Sequence, residues 1–250
     1  MNRLIRTLSP LALSIAALAA IAPLATTGCS ENKQTIAILG ALPPPKRQEA
    51  SEACLYSGKE ATSVLFSGAF DLNVANNYTV PLLVENFLAK AGDDSINRAE
   101  SNNITINTVE VTIYNGNAPL AATYKTAFTS SFIPAAEKGV VGVTLIPTEI
   151  ANVIQTSGGI GTNGSARQFR AVVRASGTTS GNIDVETPEF QYMIEVGKEN
   201  LLKGRDAAGA CPPISADEVK TLAIPCQAGI DQPVHCAICT SKTLPCPAYK

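Results

Sequence analysis

The chain has no tryptophan, two methionines, one histidine and only 5% aromatic residues among its 250. Carbohydrate platforms and single-strand nucleic-acid grooves lay flat rings against their ligands, and this chain has few rings to offer. A lone His235 excludes triads and metal sets that need two or more histidines. Charge is sparse as well: 19 basic and 21 acidic side chains, 16% of the total, give a net charge of −2. Without a basic run or stripe there is no footprint for a phosphate backbone, so no nucleic-acid partner is expected.

A span-length apolar run is also missing. Residues 8–24 are almost wholly Ala, Leu and Ile, but Pro10 and Pro23 bracket the stretch 11–22, which is broken only by Ser14. That falls short of the roughly 20 residues a spanning helix needs. With Arg3 and Arg6 ahead of it, the segment reads as the charged and hydrophobic regions of a secretory signal. Two small-x-small cleavage sites follow, Ala17-Leu18-Ala19 and Ala20-Ile21-Ala22. Further on, Thr26-Thr27-Gly28-Cys29 resembles the lipobox of bacterial lipoproteins, with Gly28 in its usual place and Thr26 where an aliphatic residue is usual. The resemblance implies that 1–28 is a lipoprotein signal peptide and that Cys29 carries the lipid. It implies an address in the bacterial cell envelope and a membrane partner through that anchor. Ser30, rather than Asp, follows the cysteine, which by the same resemblance implies the outer membrane.

Seven cysteines are present: Cys29, Cys54, Cys211, Cys226, Cys236, Cys239 and Cys246. An exported chain folds where disulfides persist. With Cys29 lipidated, six remain, an even number able to form bridges. Five of the six fall at 211–246, among Pro212, Pro213, Pro225, Pro233 and Pro245. Five is odd, so one must pair outside that segment, and Cys54 is the cysteine left. The spacing leaves the connectivity open.

Cys236-Ala237-Ile238-Cys239 is a C-x-x-C. A redox pair needs a helix start to lower a thiol pKa, and 240–247 holds two prolines and no helical period. Zinc could draw on Cys226, Cys236, Cys239, Cys246 and His235, but structural zinc sites show two spaced pairs and here there is one. The favoured reading is a disulfide-stapled tail, with no cofactor and no metal. His235 beside Cys236 would be a nucleophile pair only if that cysteine were free. Gly159-Ile160-Gly161-Thr162-Asn163-Gly164 spells G-x-G-x-x-G, with Asp184 20 residues beyond Gly164. A strand rather than a helix follows it, so no helix N-terminus meets a pyrophosphate, and a hairpin loop is expected. Asp93-Asp94 with Glu100 matches no EF-hand spacing and reads as a solvated turn. Asn77, Asn103 and Asn163 head glycosylation sequons, relevant only to a eukaryotic route.

Between these features the chain alternates with period two. Val64, Phe66, Phe70 and Leu72 share a phase, as do Tyr78, Val80, Leu82 and Val84. Further strands are carried by Val141, Val143 and Leu145, by Phe169, Ala171, Val173 and Ala175, and by Phe190, Tyr192, Ile194 and Val196. Ile104 and Ile106 are out of phase with Val109, Val111 and Ile113, which predicts a bulge near Asn107-Thr108. Half-buried antiparallel strands separated by Gly, Asn and Ser turns predict a sandwich or barrel. Helix signals are few: 148–155, with Ile150, Val153 and Ile154 on one face, and a capping box Ser215-x-x-Glu218.

The stretch Tyr78-Thr79-Val80 to Val84-Glu85-Asn86 resembles Ig-like domains of the water-stress, late-embryogenesis-abundant group, which implies an Ig-like fold. The wider outline resembles envelope lipoproteins of the myxobacterial type: the Tyr78–Asn86 strand, a turn at 177–181 before Glu189-Phe190, and the cluster from Cys226 to Cys239. Those proteins carry a further cysteine pair where this chain has residues 196–200. The expected fold is mainly β, an antiparallel Ig-like β-sandwich with a disulfide-stapled C-terminal segment. The expected organisation is a signal at 1–28, a tether and N-terminal arm at 29–59 with a stiff Pro43-Pro44-Pro45 linker, a sandwich at 60–200 and a Cys/Pro-rich module at 201–250. No catalytic set is visible. The chain reads as a non-catalytic, lipid-anchored envelope protein with a structural or protein-binding role, its partner another protein or a second copy of itself; the alternative is a redox or zinc protein built on the C-terminal cysteines.

Overall fold

The computed structural model describes residues 35–45, 53–92, 99–129, 131–157, 160, 165–208, 210–215, 217–218, 222 and 225–240. The chain divides into Met1–Lys33 and Gln34–Lys250. The first unit, which holds the expected signal at 1–28 and Cys29, lies outside the described residues, as does Cys246.

The second unit is an Ig-like β-sandwich built mostly of antiparallel pairs. One sheet has three strands: β1 (Ile36–Ala41) and β8 (Lys138–Ile146) flank β3 (Tyr78–Asn86). The other runs β2 (Ser67–Asp71), β11 (Phe190–Gly197), β9 (Arg167–Thr179), β4 (Ile104–Asn115), β5 (Ala118–Pro119). Short strands β6 (Tyr124–Lys125) and β7 (Phe132–Ile133) pair with β4, and β10 (Asp184–Glu186) pairs with β9. Period-two side chains from both sheets meet between them. Val80, Leu82 and Val84 face the interior from one side; Val109, Val111, Ile113, Phe169, Ala171, Val173, Tyr192 and Ile194 face it from the other. Two sheets each hydrophobic on one face can bury those faces only against each other.

The phase change in β4 is a bulge: the register with β9 shifts between Ile106 and Thr108. The extra residue, Asn107, lets Ile106 and Val109 both face the core, where each is fully or almost fully buried. Its amide Nδ2 donates to Thr178 Oγ1 at 3.1 Å on the solvent side.

Several expectations need correction. The tether ends sooner than 59, because Ile36–Ala41 is a sandwich strand and Leu42 is buried, its N–H donating to the Pro81 carbonyl at 2.8 Å. The prolines 43–45 therefore continue from a strand inside the domain and do not separate it from an anchor. The run was missed because β1 is buried on both faces and shows no alternation. A bulge between Ile38 and Gly40 bends it, and Gly40 has φ +155 with Val64 packed where a Cβ would stand. In β2, Phe66 lies just before the strand and is 60% exposed, while Phe70 is buried. Helix α1 (Thr148–Ser157) buries Ala151 and Ile154, and Val153 is exposed rather than on the buried face.

Two pairings are parallel, against the antiparallel expectation: β2 with β11, and β12 (Leu202–Lys203) with β13 (Val234–His235). Neither pair is joined by a hairpin, so no turn forces them antiparallel. The C-terminal segment is also part of the same compact unit as the sandwich. It contributes Ile230 to the main core and adds a smaller cluster of Val74, Leu202, Val234, Cys236, Ile238 and Cys239.

Candidate functional site

The parallel placement of β2 leaves one of its edges without a strand partner in the sheet order. An open edge is a row of unsatisfied amides and carbonyls. Here Gly229, Ile230 and Asp231 of the C-terminal segment cover it. Ile230 bridges Phe70, the Asp71 N–H donates to the Gly229 carbonyl, and the Asp231 N–H donates to the Ala69 carbonyl, the last two at 2.9 Å. The next amide, Ala69 N–H, donates to the Asp231 side chain, Oδ1, at 2.7 Å. Asp231 sits at φ 56, a left-handed conformation that Asp tolerates better than most residues.

The Asp231 carboxylate continues inward. The Tyr78 hydroxyl lies 2.8 Å from Oδ1 and 2.9 Å from Oδ2, and the Tyr192 hydroxyl lies 3.3 Å from that of Tyr78. Both tyrosines are fully buried, in a chain of rings that runs Phe70, Tyr78, Tyr192, Phe190, Phe66 at centroid spacings of 5.6 to 6.4 Å. Gly68 makes the cluster possible: a Cβ there would strike the Tyr78 hydroxyl, Asp231 Oδ1 and the Tyr192 hydroxyl. Burial raises the Asp231 pKa, while the bonds from Tyr78 and Ala69 oppose the rise. Burial, and then the Asp231 charge, push Tyr78 far above the ordinary phenol range, so it stays a donor. Tyr192 is raised by the same two causes in the same order. Half-buried Tyr56 is raised by burial and then by Asp231, and it lines an open cleft of about 220 Å³ with Leu42, Pro43, Leu55 and Glu60.

A second carboxylate, this one fully buried, does similar work at the other end of β2. Asp71 accepts N–H bonds from Asn73 at 3.0 Å, Glu199 at 2.9 Å and Leu201 at 3.0 Å, tying β2 to the turn after β11. Burial raises its pKa, the three amides lower it, and the Glu199 charge raises it again; the net direction is up. The Glu199 carboxylate in turn pairs with Arg205 and accepts from Asn73 Nδ2.

Cys54 is bonded to Cys226 and Cys211 to Cys236; Cys239 is disulfide-bonded too. Cys54–Cys226 joins the N-terminal arm to the strap that ends at Asp231. Cys236 does stand at a helix start, that of α2 (Cys236–Thr240), which the sequence pattern did not indicate. Its partner is Cys211 rather than Cys239, so the C-x-x-C is not a dithiol pair. The His235 ring faces away from nucleophile duty as well, with Nδ1 accepting from the Ala237 N–H at 3.2 Å. Among the described residues no group of three His, Cys, Asp or Glu is placed to hold a metal.

The G-x-G-x-x-G lies outside the described residues except for Ile160, which is buried. Asp93 and Asp94 lie outside them too; Glu100 accepts from the N–H groups of Ala91, Gly92 and Asn102, which hold its pKa down. Asn77 is exposed, Asn103 accepts from the Ala135 N–H at 3.0 Å, and Asn163 is outside the described residues. The capping box forms: Ser215 N–H donates to Glu218 Oε2 at 2.8 Å and Glu218 N–H donates to Ser215 Oγ at 3.2 Å.

The outer face of the larger sheet carries Arg170 over the Tyr114 ring at 4.6 Å and Arg174 between Glu186 and Glu189 at 3.3 and 2.9 Å. These pairs are solvated and contribute little stability.

Sequence reasoning missed the Tyr78–Asp231 contact. The one legible signal was a tyrosine, Tyr78, in phase with core aliphatics, since a buried hydroxyl needs a partner.

No protein-family model matches the chain, and no curated protein matches it. Among solved structures, the crystal structure of the periplasmic chaperone SfaE is similar over 54% of this chain and 56% of that one, at 11% identity and a TM-score of 0.25. The matched region thus spans about half of the chaperone's length.

Proposed function

We propose that this chain is a lipid-anchored, non-catalytic protein of the bacterial cell envelope, of the myxobacterial lipoprotein type, with a structural or protein-binding role. Residues 1–28 direct export, Cys29 carries the lipid and the outer membrane is the destination. The observation that carries the non-catalytic part is where the reactive side chains go. The five described cysteines are all in disulfides, and the carboxylates of buried Asp71 and half-buried Asp231 each accept backbone N–H bonds that hold separate elements together. A bridged cysteine is neither nucleophile nor zinc ligand.

The test is peptide mapping by mass spectrometry of protein from its native membrane fraction, without reductant. The expected result is a lipid-modified N-terminal Cys29, peptides joined through Cys54–Cys226 and Cys211–Cys236, and no free thiol. Lipid on Cys29 leaves Cys246 as the partner of Cys239. Free thiols or bound zinc at Cys236 and Cys239 would overturn this reading in favour of redox or metal chemistry. A mature chain starting at Ala20 or Pro23 would remove the anchor.

A further inference from the structure

Six large apolar side chains are exposed among the described residues, and three of them stand at one end of the sandwich: Phe87 at 47%, Phe132 at 58% and Ile183 at 64%. Hydrogen bonds link their positions. The Phe87 N–H donates to the Thr35 carbonyl at 3.0 Å. Its neighbour Asn86, fully buried, donates Nδ2 to the carbonyls of Ile133 and Asn102 at 3.2 and 2.8 Å. Ile133, next to Phe132, pairs with Ile104; Ile104 pairs with Thr179; and the Thr179 N–H donates to the Ile183 carbonyl at 2.9 Å. The other three exposed residues, Leu55, Phe66 and Val153, belong to the arm, the start of β2 and α1. Val153 marks the opposite end, because α1 follows Ile146, and Ile146 pairs with Tyr78 at the far end of β3.

The charges at the apolar end are largely paired: Lys59 and Lys90 lie 3.2 and 3.8 Å from Glu137, and Lys138 pairs across from Glu85. Thr35 is also where the chain enters the sandwich. Five residues, 30–34, separate it from Cys29, a reach of about 20–22 Å when fully extended.

We propose that this end is a membrane-docking surface, with Phe87, Phe132 and Ile183 seated in the headgroup boundary of the bilayer that holds the Cys29 lipid. The proposal rests on the anchored reading above. A tether this short keeps the Thr35 end close to the bilayer, so even a weak apolar contact acts at high effective concentration. Three partly exposed side chains bind a membrane weakly alone; joined to a lipid anchor they fix which end of the sandwich faces the bilayer. The end bearing α1 is then the one displayed away from the membrane.

The chain lacks tryptophan, so one substitution supplies a single fluorophore. Full-length protein carrying F132W, purified from bacterial membranes, is reconstituted in phosphatidylcholine vesicles with and without brominated acyl chains. Docking predicts blue-shifted emission and quenching by bromine for F132W, and neither for V153W at the opposite end. I183W is the second reporter, and circular dichroism checks that each variant keeps its strand signal. Protein that floats with the vesicles while F132W and I183W emit like V153W overturns the docking. Protein that does not float overturns the anchored reading, and the docking with it.

Discussion

The Tyr78 hydroxyl meets both oxygens of the Asp231 carboxylate, 2.8 and 2.9 Å away, across 153 positions of sequence. That contact fastens the start of β3 to the strap covering β2. Removing the hydroxyl with Y78F leaves a half-buried carboxylate with one fewer donor, at a cost of about 1–3 kcal/mol. The cost depends on pH, because the hydroxyl favours the ionised form of Asp231. Urea unfolding should therefore show a larger loss at pH 7 than at pH 4, where the carboxyl is more protonated.

The wild-type pH profile follows from Asp231 and Asp71, both raised by burial. A raised carboxyl binds its proton more tightly folded than unfolded, so its contribution to stability is full below the unfolded value of about 3.9 and is lost as pH climbs through the folded value. D231N, which keeps an acceptor for Ala69 and tolerates the left-handed backbone, should flatten that decline. Unfolding midpoints between pH 4 and 7 that fall equally in D231N and wild type would remove Asp231 from the account.

G68A tests the space the cluster needs. A methyl there meets three oxygens that are tied to one another and to the core, so relief requires moving two buried rings. Overpacking of this kind costs about 1–3 kcal/mol, read as a lower urea midpoint.

C54A/C226A opens the bridge across 172 positions. The expected loss is about 2–5 kcal/mol, with faster protease cleavage of the 53–63 arm. By the chain-entropy estimate this loop outweighs the 25-residue loop of Cys211–Cys236 by on the order of 1–2 kcal/mol.

Deleting Asn107 tests the bulge. Without it, Ile104 and Ile106 turn outward or Val109, Val111 and Ile113 do, and the smaller set already costs about 3–6 kcal/mol. Circular dichroism and soluble yield should both fall. A native-like melting curve would show that the strand can slip without loss.

Strands with one wet face were legible, because alternation records which face meets water: β3, β4 with its bulge, β8, β9 and β11 all follow it. β1 was not, because both of its faces are buried and its run of apolar residues carries no period. The odd count of cysteines in the C-terminal segment pointed to Cys54 as the outside partner, and Cys54 pairs with Cys226. Which of five it would meet needed coordinates.

Sequence by itself determined the β class, the bulge and the need for a long-range bridge, since each is written in neighbouring side chains or in simple parity. Tertiary structure alone decided that β2 runs parallel to β11, that Asp231 caps the edge left beside it, and that Tyr78 supplies that carboxylate with a donor. A carboxylate withdrawn from water is tolerable only where donors converge on it, and these donors come from segments more than 150 positions away, which no local pattern encodes.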